Sequence, residues 1–126
     1  MSKEKHDCTN CAGCRCETLA EYQEKASKTM GEHWKDFDRG LSYGVLGLAG
    51  ETGEVCEIVK KHINGSRVLN RDDLKKELGD VMWYLAALSS HLGFTLTDIA
   101  ETNIKKLRKR HGEKFSGYGD RSGEGK

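Results

Sequence analysis

The chain has no proline, and no apolar run in its 126 residues approaches the roughly 20 needed to cross a bilayer. Hydrophobic residues make up 36% and charged residues 33%, the balance of a surface-rich, water-soluble domain rather than a membrane protein. Excess charge of one sign is missing too. Lys and Arg number 21 against 20 Asp and Glu, interspersed along the chain, so no broad basic field is available to attract nucleic acid. Cysteine is scarce outside one segment: four of the five lie between Cys8 and Cys16, and only Cys56 falls in the body. A disulfide-stapled secreted fold would spread its thiols between elements, which argues against that class. Behind the charges of Met1–Asp7 there is no apolar stretch, hence no secretory signal, and the expected location is the cytoplasm. No segment alternates apolar and polar residues as a strand does. Length and pattern together predict one all-α domain with a modest core.

What the chain does have is concentrated between Leu48 and Tyr84. Glu51 and Glu54 stand in Gly50-Glu51-Thr52-Gly53-Glu54, and Glu77 and Asp80 in Glu77-Leu78-Gly79-Asp80. On a helix, carboxylates at i and i+3 project from one face, a turn apart. Apolar residues flank both pairs: Leu46, Leu48, Val55, Ile58 and Val59 the first, Leu74, Leu78, Val81 and Met82 the second. An unpaired carboxylate in such surroundings costs several kcal/mol or titrates upward. If the two helices pack antiparallel, four carboxylates converge and their repulsion demands a cation. Oxygen ligands suit a hard divalent ion such as Mg²⁺. A solvated acidic face is the plainer reading of any single pair. Two pairs on the most hydrophobic helices, with a basic face on a third, favour the metal site.

Residues 1–16 read as a flexible cysteine-rich leader, Cys8-x₂-Cys11-x₂-Cys14-x-Cys16, whose thiols are also a candidate Zn²⁺ site. A first helix is predicted over 17–30, with Leu19, Tyr22, Ala26 and Met30 on one stripe. In the connector between Gly31 and Gly40, Phe37 is expected to plug the core, and Trp34 either to plug the core or to line a pocket. The second helix is predicted from Leu41 to Ile63, with Gly44, Gly47, Gly50 and Gly53 at every third position. Each costs up to ~1 kcal/mol relative to Ala, so the row implies close helix approach or ligand access to the backbone. The third helix is predicted over 71–91, and its Val81–Leu88 half, apolar all round, should be the most buried part. Thr95-x-x-Asp98 resembles a capping box opening a fourth helix to Arg110. There Ile99, Ile104 and Leu107 are expected to face inward, with Asn103, Lys106 and Arg110 on one polar face. Residues 117–126 read as a flexible tail. Acids on two helices and bases on a third predict a metal–phosphate site.

The segments Leu48-Ala49-Gly50-Glu51-Thr52-Gly53-Glu54-Val55, Glu77-Leu78-Gly79-Asp80-Val81-Met82-Trp83-Tyr84-Leu85 and Asn103-Ile104-Lys105-Lys106-Leu107 resemble the MazG-like all-α nucleotide pyrophosphohydrolases. Their signature is ExxE followed, a dozen or more residues on, by ExxD. The resemblance implies Mg²⁺-dependent hydrolysis of a nucleoside triphosphate, with deoxynucleotides preferred, to the monophosphate and pyrophosphate; Mn²⁺ would substitute. By motif position Glu51, Glu54, Glu77 and Asp80 would be the metal ligands, and Glu51 or Glu54 would double as general base. Asn103 and Lys106 match the family's Asn-x-x-Lys element and would contact phosphates or sugar, with Arg110 beside them. Tyr84 and Trp34 resemble base-contacting positions in the dCTPase-like branch of the family. The chain departs where some relatives carry a double Glu, with Gly50 in that place, and where many read Arg-Tyr-Pro, here Arg110-His111-Gly112.

The resemblance implies a domain over 17–116, a four-helix MazG-like bundle completed by homodimer or homotetramer formation. The rival reading of the same residues is a non-catalytic nucleotide- or metal-binding helical module carrying a zinc-binding cysteine leader.

Overall fold

A computed structural model describes residues 18–112. The cysteine leader with its candidate zinc ligands Cys8, Cys11, Cys14 and Cys16, and the 117–126 tail, lie outside the described residues. The helices are α1 (Leu19–Ser27), α2 (Phe37–Ile63), α3 (Arg71–His91) and α4 (Leu96–His111), with a 3₁₀ turn at Glu32–Lys35 between the first two. Among the described residues there is no strand, as expected, and no helix long and apolar enough to cross a membrane.

Every α-helix opens on a side chain that satisfies otherwise unpaired backbone N–H groups. Thr18 with Glu21, and Thr95 with Asp98, form reciprocal capping boxes. Asn70 accepts from the N–H groups of Asp72 and Asp73. The Asp36 carboxylate accepts from Arg39 N–H at 2.8 Å. That cap moves the start of α2 four residues ahead of the predicted Leu41, and Gly40 becomes an interior helical residue rather than a breaker. The first helix, conversely, stops at Ser27 rather than at residue 30. The hydroxyls of Ser27 and Thr29 donate back to the carbonyls of Glu24 and Ala26 at 2.8 and 2.7 Å, which competes with helix continuation. Thr29 Oγ1 also accepts from the Trp83 indole N–H at 2.7 Å and so ties the end of α1 to α3.

The two long helices form an antiparallel hairpin. Its contact line can be read from the glycines of α2: Gly40 faces the His91 ring, Gly44 faces Leu88, and Gly47 faces the Tyr84 ring. As α2 advances by a turn, α3 recedes by a turn. A Cβ on Gly44 would lie 2.5 Å from Leu88 Cδ2 and 2.6 Å from the Trp34 ring, far inside contact distance. Gly50 and Gly53, further along the same helix, have nothing within 4 Å of that position. The glycine row therefore serves close approach over its first half only.

Trp34 is the core plug, 8% exposed and edge-on to Tyr43, Trp83 and His91. Phe37 is not a second one: it is 58% exposed and stacks on the outer side of His91, whose Nε2 lies 2.8 Å from the Phe37 carbonyl. The apolar half of α3 is buried on one side only. Ala86, Ala87 and Ser89 are buried, while Met82 and Leu85 remain open, because α1 and α2 cover one face within a single chain. On α4 the buried anchor is Leu96; Ile99 and Ile104, expected to face inward, are exposed, and Leu107 is half-buried. Gln23 brackets the α3–α4 turn: its amide N–H groups donate to Ser90 Oγ and the Phe94 carbonyl, and its Oε1 accepts from Leu96 N–H.

Two glycine substitutions test the contact line by their opposite signs. Gly44→Ala overfills a closed contact and should destabilise the fold by about 1–3 kcal/mol. Gly50→Ala adds a better helix former in open space and should stabilise by up to ~1 kcal/mol. Urea unfolding followed by circular dichroism measures both.

Candidate metal centre

The contact line that runs through Gly40, Gly44 and Gly47 continues to Glu51, the next residue on that face of α2. On α3, Tyr84 is followed in the same direction by Asp80 and Glu77. Packing of the hairpin therefore brings the two acidic motifs together, and one carboxylate oxygen from each of Glu51, Glu77 and Asp80 lies within 4.8 Å of the others. Glu51 and Glu77 are half-buried and Asp80 is exposed. Glu54, a turn further along α2, is exposed and stands outside this triad, yet close enough for its charge to act on Glu51.

The charge balance of this cluster is one-sided. Among the described residues no Lys or Arg is ion-paired with Glu51, Glu54, Glu77 or Asp80. Lys76, next to Glu77 in sequence, is paired with Asp73, and Lys60 and Lys61 are engaged by Glu57, whose carboxyl they hold below the usual range through a hydrogen bond from Lys60 first. Glu51 moves the other way. Desolvation raises its pKa, and the negative charges of Asp80, Glu77 and Glu54 raise it further. Three convergent oxygen donors with no internal cation are the donor set a hard divalent ion takes. A metal held there would retain positions for water and for ligand oxygens.

Tyr84 lies beside the cluster with its ring over Gly47. Its phenol is pushed up to about 12, by burial first, then by its hydrogen bond with Tyr43 and the charges of Glu51 and Asp80. It is therefore neutral at physiological pH and can donate a hydrogen bond. Trp34 lies behind this wall in the core. Asn103 and Lys106 are elsewhere. They line a groove of about 390 Å³ on α4 with Phe94, Asp98, Ile99 and Thr102, and Arg110 is exposed in the last turn of that helix. The groove shares no residue with the acidic triad. After the Gly93 turn α4 packs on α1 and the end of α3 rather than broadly on α2. The expected meeting of acids and bases at one spot is thus not assembled within one chain.

An antiparallel helical hairpin thus brings carboxylates of its facing ExxE and ExxD motifs together, a donor set that could hold a divalent ion. In comparison with known proteins, the MazG nucleotide pyrophosphohydrolase domain matches residues 42–115. The chain is also 43% identical over 96 residues to the Gene 37 protein of Mycobacterium phage L5, covering 71% of this chain and 84% of that protein. The chain belongs to the MazG nucleotide pyrophosphohydrolase family. No solved structure gives a significant match.

The shift on Glu51 has a thermodynamic signature. A carboxyl whose pKa rises on folding opposes folding while it is charged, and the opposition fades as the pH falls through its folded pKa. Metal-free Glu51→Gln should therefore melt above the wild type at neutral pH, and the gap should narrow toward about pH 4. Mg²⁺ at neutral pH should raise the wild-type Tm and raise that of Glu51→Gln by less. Differential scanning fluorimetry across pH, with and without the ion, checks all three.

Proposed function

We propose that this protein hydrolyses a nucleoside triphosphate, with deoxynucleotides preferred, to the monophosphate and pyrophosphate, with Mg²⁺ as cofactor and Mn²⁺ as its substitute. The observation that carries the reading is the convergence of Glu51, Glu77 and Asp80 without a compensating cation. Family membership supplies the reaction class.

In this reading Glu51, Glu77 and Asp80 hold the ion. Bound there, Mg²⁺ neutralises phosphate oxygens and lowers the pKa of a coordinated water. Glu54 stands one turn from the triad with its carboxylate uncommitted, which suits it to take the proton from the attacking water; Glu51 is the other candidate. Hydrolysis would proceed by in-line attack of water on a phosphorus, and Glu51, Glu77 and Asp80, held in fixed positions by the hairpin, would orient the phosphate end for it. Asn103 and Lys106, with Arg110, would neutralise and orient the phosphates. They reach the triad in an assembly in which α4 of one copy lies against the α2–α3 hairpin of another. Exposed apolar residues on those faces support it: Leu46, 72% exposed, with Leu78, Met82 and Leu85 on the hairpin and Ile99 and Ile104 on α4. A homodimer or homotetramer acting on the cytoplasmic nucleotide pool is the form proposed.

Release of pyrophosphate against orthophosphate from a panel of NTPs and dNTPs with Mg²⁺ tests the reaction. Pyrophosphate is expected, with Asp80→Asn and Glu54→Gln each losing on the order of 10²-fold or more in kcat while keeping the helical spectrum. Orthophosphate would mean that another bond is cut, and no release from folded, metal-loaded protein would leave a binding module. Light scattering tests the assembly: the wild type should be a dimer or larger, and Leu46→Glu with Met82→Glu should shift it to monomer.

A further inference from the structure

The burial of Trp34 raises the question of which aromatic surface is open beside the acidic cluster. The ring of Trp34 meets Tyr43 edge-on at 5.8 Å and is closed off on its other sides by Trp83 and His91, so it has no free face. In front of it stands a different pair. His33, on the 3₁₀ turn, stacks on Tyr43 of α2 with ring centroids 4.7 Å apart and planes 17° from parallel. Both residues are exposed, Tyr43 by 40%.

This pair is in line with the carboxylates. Tyr43, Gly47 and Glu51 follow one another at four-residue steps, so they share one face of α2, and Tyr43 lies two turns or ~12 Å from Glu51. Tyr84 fills the interval. Its ring centroid is 6.2 Å from that of Tyr43, its ring covers Gly47, and its hydroxyl feels the charges of Glu51 and Asp80. The result is a continuous wall: carboxylates at one end, a neutral phenol in the middle, a stacked imidazole and phenol at the other. Its length is that of a nucleotide from phosphates to base. Between the two ends the Tyr84 ring fills the space over Gly47, so a sugar there would rest against the phenol rather than the helix backbone.

We propose that His33 and Tyr43 form the platform on which the nucleobase stacks while the phosphates lie at Glu51, Glu77 and Asp80. The proposal rests on the nucleotide-hydrolysing reading above. Stacking on flat rings is tolerant of base identity because every base has a π-face. The platform therefore discriminates nucleotides from polyphosphates that have no base, rather than one base from another. Choice among bases would need edge contacts beyond this stack.

The test uses the full chain with Mg²⁺ and the variants His33→Ala, Tyr43→Ala and His33→Phe. His33→Ala should raise KM on the order of tenfold for purine and pyrimidine triphosphates alike, with kcat little changed. Competition by inorganic tripolyphosphate should keep the same Ki, and His33→Phe should restore KM because it restores a flat ring. An unchanged KM in His33→Ala would overturn the platform and leave the hydrolase reading intact, as would a loss confined to kcat. Equilibrium dialysis of a non-hydrolysable nucleoside triphosphate, read against tripolyphosphate, tests the platform even where the wild type turns over no nucleotide. Weaker nucleotide binding in His33→Ala supports it; equal binding overturns it. His33 is exposed on a short turn, so its variant decides the matter should Tyr43→Ala fail to fold.

Discussion

The structure depends on the close approach of α2 to α3. Three of the five glycines of α2 lie under large side chains of α3: His91 over Gly40, Leu88 over Gly44 and Tyr84 over Gly47. Dispersion attraction falls away within an ångström of added separation, so the contact is strong only in this register. A slip of one residue would drive ring atoms into Cβ atoms. The register in turn decides which acids meet. It is because Tyr84 sits on Gly47 that Glu51 finds Asp80 and Glu77 rather than a neighbouring turn of α3.

The site works against the packing that creates it. The hairpin carries three carboxylates into mutual range without a basic partner, and the rise in the Glu51 pKa records the electrostatic opposition. The opposition is local. Glu57, six residues further along the same helix, is paired with lysines and is shifted the other way. Tyr84 separates the polar end of the hairpin from its aromatic end and stays protonated between them. Packing energy is spent on one face of α3, and the opposite face, with Met82 and Leu85, stays open.

Much of this was legible in the residues. The helix count, the cap on Thr95, and the pairing of ExxE with ExxD all follow from local patterns that the fold leaves intact. What was not legible depended on long-range neighbours. Gly40 reads as a breaker until His91 is known to fill the space beside it, and the Asp36 cap, one residue before an aromatic, was hidden by that glycine. Phe37 and Trp34 have the same hydrophobic character, and only the position of His91 leaves one outside and the other in. Ile99 and Ile104 lie on the apolar stripe of an amphipathic helix, but a stripe does not say whose surface covers it. The His33–Tyr43 stack joins residues ten apart across a turn; the four-residue steps from Tyr43 to Glu51 were the available signal. Gln23 had none, since an amide that bridges α1 to the α3–α4 turn looks like any other polar residue on a surface helix.

The helices that hold the carboxylates are consecutive in the chain, joined only by residues 64–70. Contacts between such neighbours carry a small loop-closure penalty and form early, ahead of pairings between distant segments. If the α2–α3 hairpin forms first, the repulsion among Glu51, Glu77 and Asp80 would be met during folding and not only in the finished domain. A divalent ion bound by those carboxylates would then speed folding as well as slow unfolding.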